Sequence, residues 1–84
     1  MLDACLITFR SVTPAQRGEE ALRRVGIQCA LQRTPKQLAD QGCGYSLRVS
    51  YRQLAQAIEI LRKKGIAYRK TYCMTNGIPE EVGL

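Results

Sequence analysis

Residues 5–32 read CLITFRSVTPAQRGEEALRRVGIQCALQ, and this stretch decides the fold because it holds one complete strand–helix–strand unit. The alternating apolar residues of 5–9 predict a strand with one inward face. A helix start follows at Thr13, where a capping residue precedes a proline, and Gly26 is a typical helix end. The alternating residues of 27–32 then predict a second strand.

The second half of the chain repeats this order of elements. Residues 45–49 alternate as a third strand, Ser50 caps a second helix whose apolar stripe includes Tyr51, Gly65 ends that helix, and 67–73 predict a fourth strand. Two interleaved right-handed crossovers of this kind predict an α+β fold. We expect a ferredoxin-like βαββαβ two-layer sandwich, in which an antiparallel four-stranded sheet carries both helices on one face.

Length and composition are those of one small domain. The chain has 84 residues, of which 45% are hydrophobic, and this is enough for a single core. We place a single ferredoxin-like domain at 1–75 and expect 76–84 to be a loose C-terminal tail. Gly18 lowers the stability of the first helix, so its presence indicates a close approach of that helix to the sheet.

Composition also excludes several kinds of chemistry. The chain has no histidine, which removes Cys-His and Ser-His nucleophile pairs and zinc sites that mix the two ligands. Its four cysteines form no C-x-x-C motif, so we expect no metal site and no cofactor. The net charge of +6 fits either an anionic partner or ordinary solubilising charge, and the sequence leaves both open.

The amino-terminal residues indicate the cellular compartment in which we expect the protein. The short apolar run 4–7 follows Asp3 with no basic segment before it, and no run is long enough to span a membrane. We therefore expect a cytoplasmic protein with reduced thiols and no membrane partner.

One cysteine differs from the other three in its neighbours. Cys43 stands between Gly42 and Gly44, and glycines on both sides of a thiol leave its sulfur accessible. We take these three residues as the candidate catalytic site. Cys5 and Cys29 lie in strand-like runs, where cysteine usually packs in the core, whereas the role of Cys73 stays open.

The predicted topology gives this thiol electropositive neighbours. Because the first two strands run in the same direction, the connection that carries Cys43 should lie beside Arg10, Ser11 and Thr13 at the start of the first helix. The free N–H groups and the positive end of that helix would lower the pKa of the thiol and bind an anion. The same topology leaves Cys43 without a cysteine partner in its own chain.

A known family shares this pattern of motifs. The string LITFRS at 6–11, the exit Gly26-Ile27, Pro35 and the late Cys43-Gly44 before a strand resemble the selenium/sulfur carrier-like family of small bacterial proteins, over residues 4–73. The resemblance implies a compact α/β domain with a Cys-Gly site that holds sulfur or selenium as a persulfide-like adduct.

The resemblance assigns roles to a few residues. It implies that Cys43 with Gly44 carries the atom, and more loosely that Arg10 and Ser11 belong to the site. Members of the family often have serines before the Cys-Gly pair, and this chain has Asp40-Gln41-Gly42 instead. The implied partners are proteins that donate and accept sulfur or selenium, and the implied role is that of a carrier more than of a stand-alone catalyst.

Two hypotheses without thiol chemistry remain as alternatives to the carrier function. A small basic RNA-binding module would share the βαββαβ order and the positive charge, but residues 44–51 depart from the aromatic pattern of an RRM, so nucleic acid is the less favoured partner. A ligand- or protein-binding domain is the other. The sequence does not define the oligomeric state.

Overall fold

The structure, a computed structural model, describes residues 2–35 and 44–83. Within these ranges the chain folds into two helices and a five-stranded antiparallel sheet, an α+β architecture as predicted. The elements are β1 Leu2–Phe9, α1 Val12–Arg24, β2 Cys29–Arg33, β3 Tyr45–Ser50, a 3-10 helix Tyr51–Gln53, α2 Leu54–Lys63, β4 Thr71–Thr75 and β5 Ile78–Glu81. No helix in the described ranges is both long and apolar enough to cross a lipid bilayer.

The sheet has the strand order β2-β3-β1-β4-β5. The strand β1 is central, and its Ile7 faces Leu47 of β3 on one side and Thr71 of β4 on the other. Between β1 and β4, Thr8 and Lys70 continue the pairing, because the Thr8 amide donates to the Lys70 carbonyl at 2.8 Å. The sequence places β4 at 67–73, so the strand starts four residues later and ends two residues later than expected.

The expected count of four strands is wrong, because Ile78–Glu81 forms a fifth strand that pairs with β4. A two-residue turn joins β4 to β5, with Asn76 at φ 53° and Gly77 at φ 79°. Positive φ at both positions is the geometry that matches the twist of a hairpin, and Asn-Gly is the preferred pair there. The new strand lies in the stretch 76–84 that we expected to be a tail; the domain limit at residue 75 stays a prediction.

One face of the sheet and both helices enclose the core. Gly18 of α1 packs closely against it: a Cβ on this residue would lie 3.1 Å from methyl groups of Leu47 and Leu61 and 3.3 Å from the ring of Phe9. The expected close approach of helix to sheet is therefore confirmed. The buried core residues are Cys5, Ile7, Phe9, Ala15, Leu22, Ile27, Leu47, Val49, Leu54, Ala57, Ile58, Leu61 and Cys73.

Both predicted helix starts need correction. The helix α1 begins at Val12 with Ser11 as its N-cap residue, so Thr13 is a first-turn residue and not the cap. Proline did not fix the start, because every N–H in a first turn lacks a helical partner and proline fits any of these positions. The helix α2 begins at Leu54 with Gln53 as its N-cap residue, and Ser50 is the N-cap residue of the 3-10 helix before it. Tyr51 lies in that 3-10 helix and is 50% exposed, so it is not part of the apolar stripe of α2.

Both helices end in the same way, as the repeated Gly-Ile pair predicts. Gly26 and Gly65 have φ of 85° and 69°. The amides of Ile27 and Ile66 donate to the carbonyls five residues earlier, at 3.0 and 2.9 Å, which is the Schellman arrangement. Each helix therefore turns directly into the next extended segment.

Candidate functional site

The carboxyl ends of β1 and β2 and the amino end of β3 meet at one end of the sheet. Phe9 faces Tyr45 there, and Tyr45 faces Arg33. Gly44 precedes β3 at the same place, and a Cβ on it would lie 3.3 Å from the Phe9 carbonyl oxygen and 3.2 Å from Thr34 Oγ1. We call this region the Gly44 end of the sheet.

Polar contacts hold the backbone beside Gly44. The Thr34 amide donates to the Gly44 carbonyl at 2.9 Å, and the hydroxyls of Thr34 and Ser46 are hydrogen-bonded at 2.7 Å. Ser46 is fully buried and Thr34 half-buried, so this hydrogen bond is partly shielded from competition with water. The guanidinium of Arg33 lies 5.9 Å from the centroid of the Tyr45 ring, within the range of a cation–π contact.

The residues expected to bind an anion lie where β1 passes into α1. Arg10, Ser11 and Thr13 are all exposed. Ser11 makes no side-chain capping bond, and the first turn of α1 has no acidic residue, so its positive end is not offset by a local carboxylate. Arg10 follows Phe9 directly and therefore lies at the Gly44 end of the sheet. Anion binding by these three residues stays a prediction.

The predicted nucleophile itself lies outside the described residues. Cys43 and Gly42 both belong to the segment that the structure does not describe, whereas Gly44 is described. The role of these three residues as a site stays a prediction, and so does the absence of a cysteine partner for Cys43.

Two of the remaining cysteines are joined to each other. Cys5 and Cys73 face each other across β1 and β4 and form a disulfide in the core, with 0% and 1% exposure. The core placement of Cys5 is as predicted. The expectation of reduced thiols is wrong for this pair, because adjacent antiparallel strands bring the two residues within bonding reach. Residues 68 apart in sequence gave no sign of this contact.

Cys29 is the free cysteine of the described residues, and its environment disfavours a thiolate. It is half-buried against the core, and its thiol donates to the Glu19 carbonyl at 3.8 Å. Burial raises the pKa of this thiol above its ordinary value, and the negative charge of Glu19 raises it further. The positive charge of Arg23 and its hydrogen bond act in the opposite direction but are weaker.

The described ranges contain no group of three or more histidine, cysteine or acidic side chains arranged to hold a metal ion. The fold is that of a small α+β domain in which Cys5 and Cys73 form a disulfide and Cys29 is a half-buried free thiol. The fourth cysteine, Cys43, stands between two glycines in the sequence. Residues 4–73 match the family described as "Putative Se/S carrier protein-like", and the chain belongs to that family. No curated protein and no solved structure matches the chain.

Proposed function

We propose that this protein carries a sulfur or selenium atom on the thiolate of Cys43 and hands it to an acceptor protein. The observation that carries the proposal is the family match over residues 4–73, which includes the Gly42-Cys43-Gly44 segment. We further propose that the fold is ferredoxin-like, with β5 added at the β4 edge of the usual four strands. We also propose that the protein works in the cytoplasm, where the burial of Cys5 and Cys73, at 0% and 1% exposure, shields their disulfide from thiol reductants.

The state of the other cysteines supports the choice of Cys43. A carrier needs an accessible thiolate, because the thiolate is the nucleophile. Cys5 and Cys73 are occupied by their disulfide, and Cys29 is half-buried with a raised pKa. Cys43 is the cysteine whose sequence neighbours, two glycines, leave room for the active site of a partner.

The charges at the Gly44 end of the sheet also favour a thiolate. The exposed Arg10 and the positive end of α1 lie there. Arg33 of β2 lies next to Tyr45, on the side of Tyr45 away from Phe9. Positive charges close to a cysteine lower its pKa, because they stabilise the anionic form. The same charges would stabilise a persulfide or selenosulfide anion.

The transfer needs no external oxidant. The Cys43 thiolate attacks the outer sulfur of a donor persulfide, the sulfur–sulfur bond of the donor breaks, and the donor leaves as a thiolate. Cys43 then holds the atom as a persulfide. A thiolate of the acceptor attacks that outer atom in turn and restores the Cys43 thiolate.

Intact mass and peptide mapping after incubation with glutathione persulfide test the proposal. We expect an adduct of one sulfur atom on the Cys43 peptide, its loss in Cys43→Ser, and no change in the matched control Cys29→Ser. Circular dichroism of each variant checks that the fold is retained. An adduct that persists in Cys43→Ser, or thiols that are all inert, would contradict the carrier function. The RNA-binding and the ligand- or protein-binding hypotheses would then be favoured.

A further inference from the structure

The two edges of the sheet are protected to different degrees. The edge strand β5 contains Pro79, which has no N–H to offer, followed by Glu80 and Glu81. Proline and charged residues are the usual means by which an edge strand avoids pairing with another chain. The other edge strand, β2, has the sequence CALQR, with no proline and with Arg33 at its end as the single charge.

The backbone of β2 presents free hydrogen-bonding groups on its outer side. Thr34 donates its amide to Gly44 of the β3 side, so in the alternating antiparallel pattern Ala30 and Gln32 also face β3. The N–H and C=O groups of Leu31 and Arg33 then point outward. Within the described part of the chain, these outward groups have no partner.

The side chains around this edge are mainly cationic. Arg33 ends β2, and Arg23 and Arg48 lie beside it; among the described residues the carboxylate of Glu19 also lies at this edge, paired with Arg23 at 3.2 Å. Surface depressions lie on both sides of the strand near Cys29. One is lined by Gln28, Ala30, Arg48, Val49 and Ser50, among others, and a second by Arg23, Gly26, Ile27 and Gln28.

We propose that β2 is a docking edge for an extended acidic segment of a partner protein, which adds to the sheet as a sixth strand. Backbone pairing would supply affinity, and carboxylates beside Arg33 on the helix side of the edge would supply selectivity. A second copy of this chain is the poorer occupant, because symmetric pairing would bring the cations of both edges together. The docked strand would run beside Thr34, which contacts Gly44. The proposal does not depend on chemistry at Cys43.

Amide hydrogen exchange of the free chain tests whether the edge is open. We expect fast exchange at Leu31 and Arg33 and slow exchange at Ala30 and Gln32, because only the second pair is bonded to β3. Protection of Leu31 and Arg33 in the monomeric protein would overturn the proposal, and so would a dimer in sedimentation that protects them.

Titration of the isotope-labelled full chain with a capped octapeptide of alternating valine and glutamate tests the occupant. We expect amide shifts confined to β2 and its neighbours. Arg33→Glu should weaken binding about tenfold, whereas the matched charge reversal Arg17→Glu on α1 should leave it unchanged. Equal weakening by both variants, shifts centred on β5 or α2, or equal binding of a valine–lysine or backbone N-methylated peptide would overturn it.

Discussion

At the scale of single residues, the same thiol group has different chemistry in different positions. Cys5 and Cys73 are removed from titration by their bond, while Cys29 stays free but half-buried beside Glu19. Burial penalises the charged form of a thiol, and a neighbouring carboxylate adds to that penalty. Reactivity in this chain is therefore set by surroundings that a cysteine count does not show.

Alkylation of Cys29 tests this environment. In a Cys43→Ser protein with the disulfide intact, labelling by iodoacetamide should be slow at neutral pH and should accelerate as the pH rises toward the raised pKa of the thiol. Glu19→Gln removes one cause of that raised pKa, so it should increase the rate at a given pH. Glu20→Gln makes the same charge change on a residue paired with Arg24 and serves as control. Equal rates in the two variants would contradict the assignment.

At the scale of elements, short local signals determine how each helix ends. In both Schellman motifs a glycine at positive φ lets the chain reverse, and the isoleucine that follows packs close to the helix it has just left. Ile27 is buried, and Ile66 packs against the core. The repeated Gly-Ile pair is therefore a structural signal in each half of the chain.

Replacement of Gly26 tests the cost of that backbone geometry. A Cβ at Gly26 meets no atom within 4 Å, so any loss of stability must come from the positive φ of 85°. We expect Gly26→Ala to lower the free energy of unfolding by about 1 kcal/mol in urea titrations. Gly83 has equally open surroundings without a positive φ, and Gly83→Ala should have little effect. A similar loss in both variants would show that the motif is not responsible.

At the scale of the whole molecule, the Cys5–Cys73 disulfide joins the central strand to β4 across a sequence separation of 68 residues. A cross-link over so long a loop strongly lowers the conformational entropy of the unfolded chain. Small domains bury a smaller share of their surface, so this contribution is a large part of their free energy of unfolding. The disulfide therefore ties both ends of the family-matched region, 4–73, to each other.

Reduction of this disulfide should lower stability markedly. We expect a loss of about 2–4 kcal/mol in the free energy of unfolding on addition of a strong thiol reductant, mainly because the unfolded state gains entropy. Cys29→Ser should respond to the reductant like the parent protein. The double variant Cys5→Ala/Cys73→Ala should be less stable from the outset and insensitive to reductant. An unchanged unfolding midpoint on reduction of the parent protein would contradict this role.

Several local features of the fold follow from the sequence alone. The alternating residues of β3, the inward face of β1 and the two glycine helix ends are carried by neighbours in sequence, and they match the structure. The Asn76-Gly77 pair is an equally local hairpin signal, and its strand Ile78–Glu81 lies within the stretch expected to be a tail. The sequence does not define the start of α1, because proline fits several first-turn positions.

The sequence by itself determined the α+β class, the order of the first four strands and two helices, and membership of the carrier-like family, because periodicity, capping and short motifs act over a few residues. Only the tertiary structure decided that Cys5 meets Cys73, that Glu19 lies against Cys29, and that β2 is an edge strand of the described sheet. The first two contacts join residues of different elements, and the third feature depends on the order of strands in the sheet. Local sequence patterns do not specify contacts between elements or the order of strands.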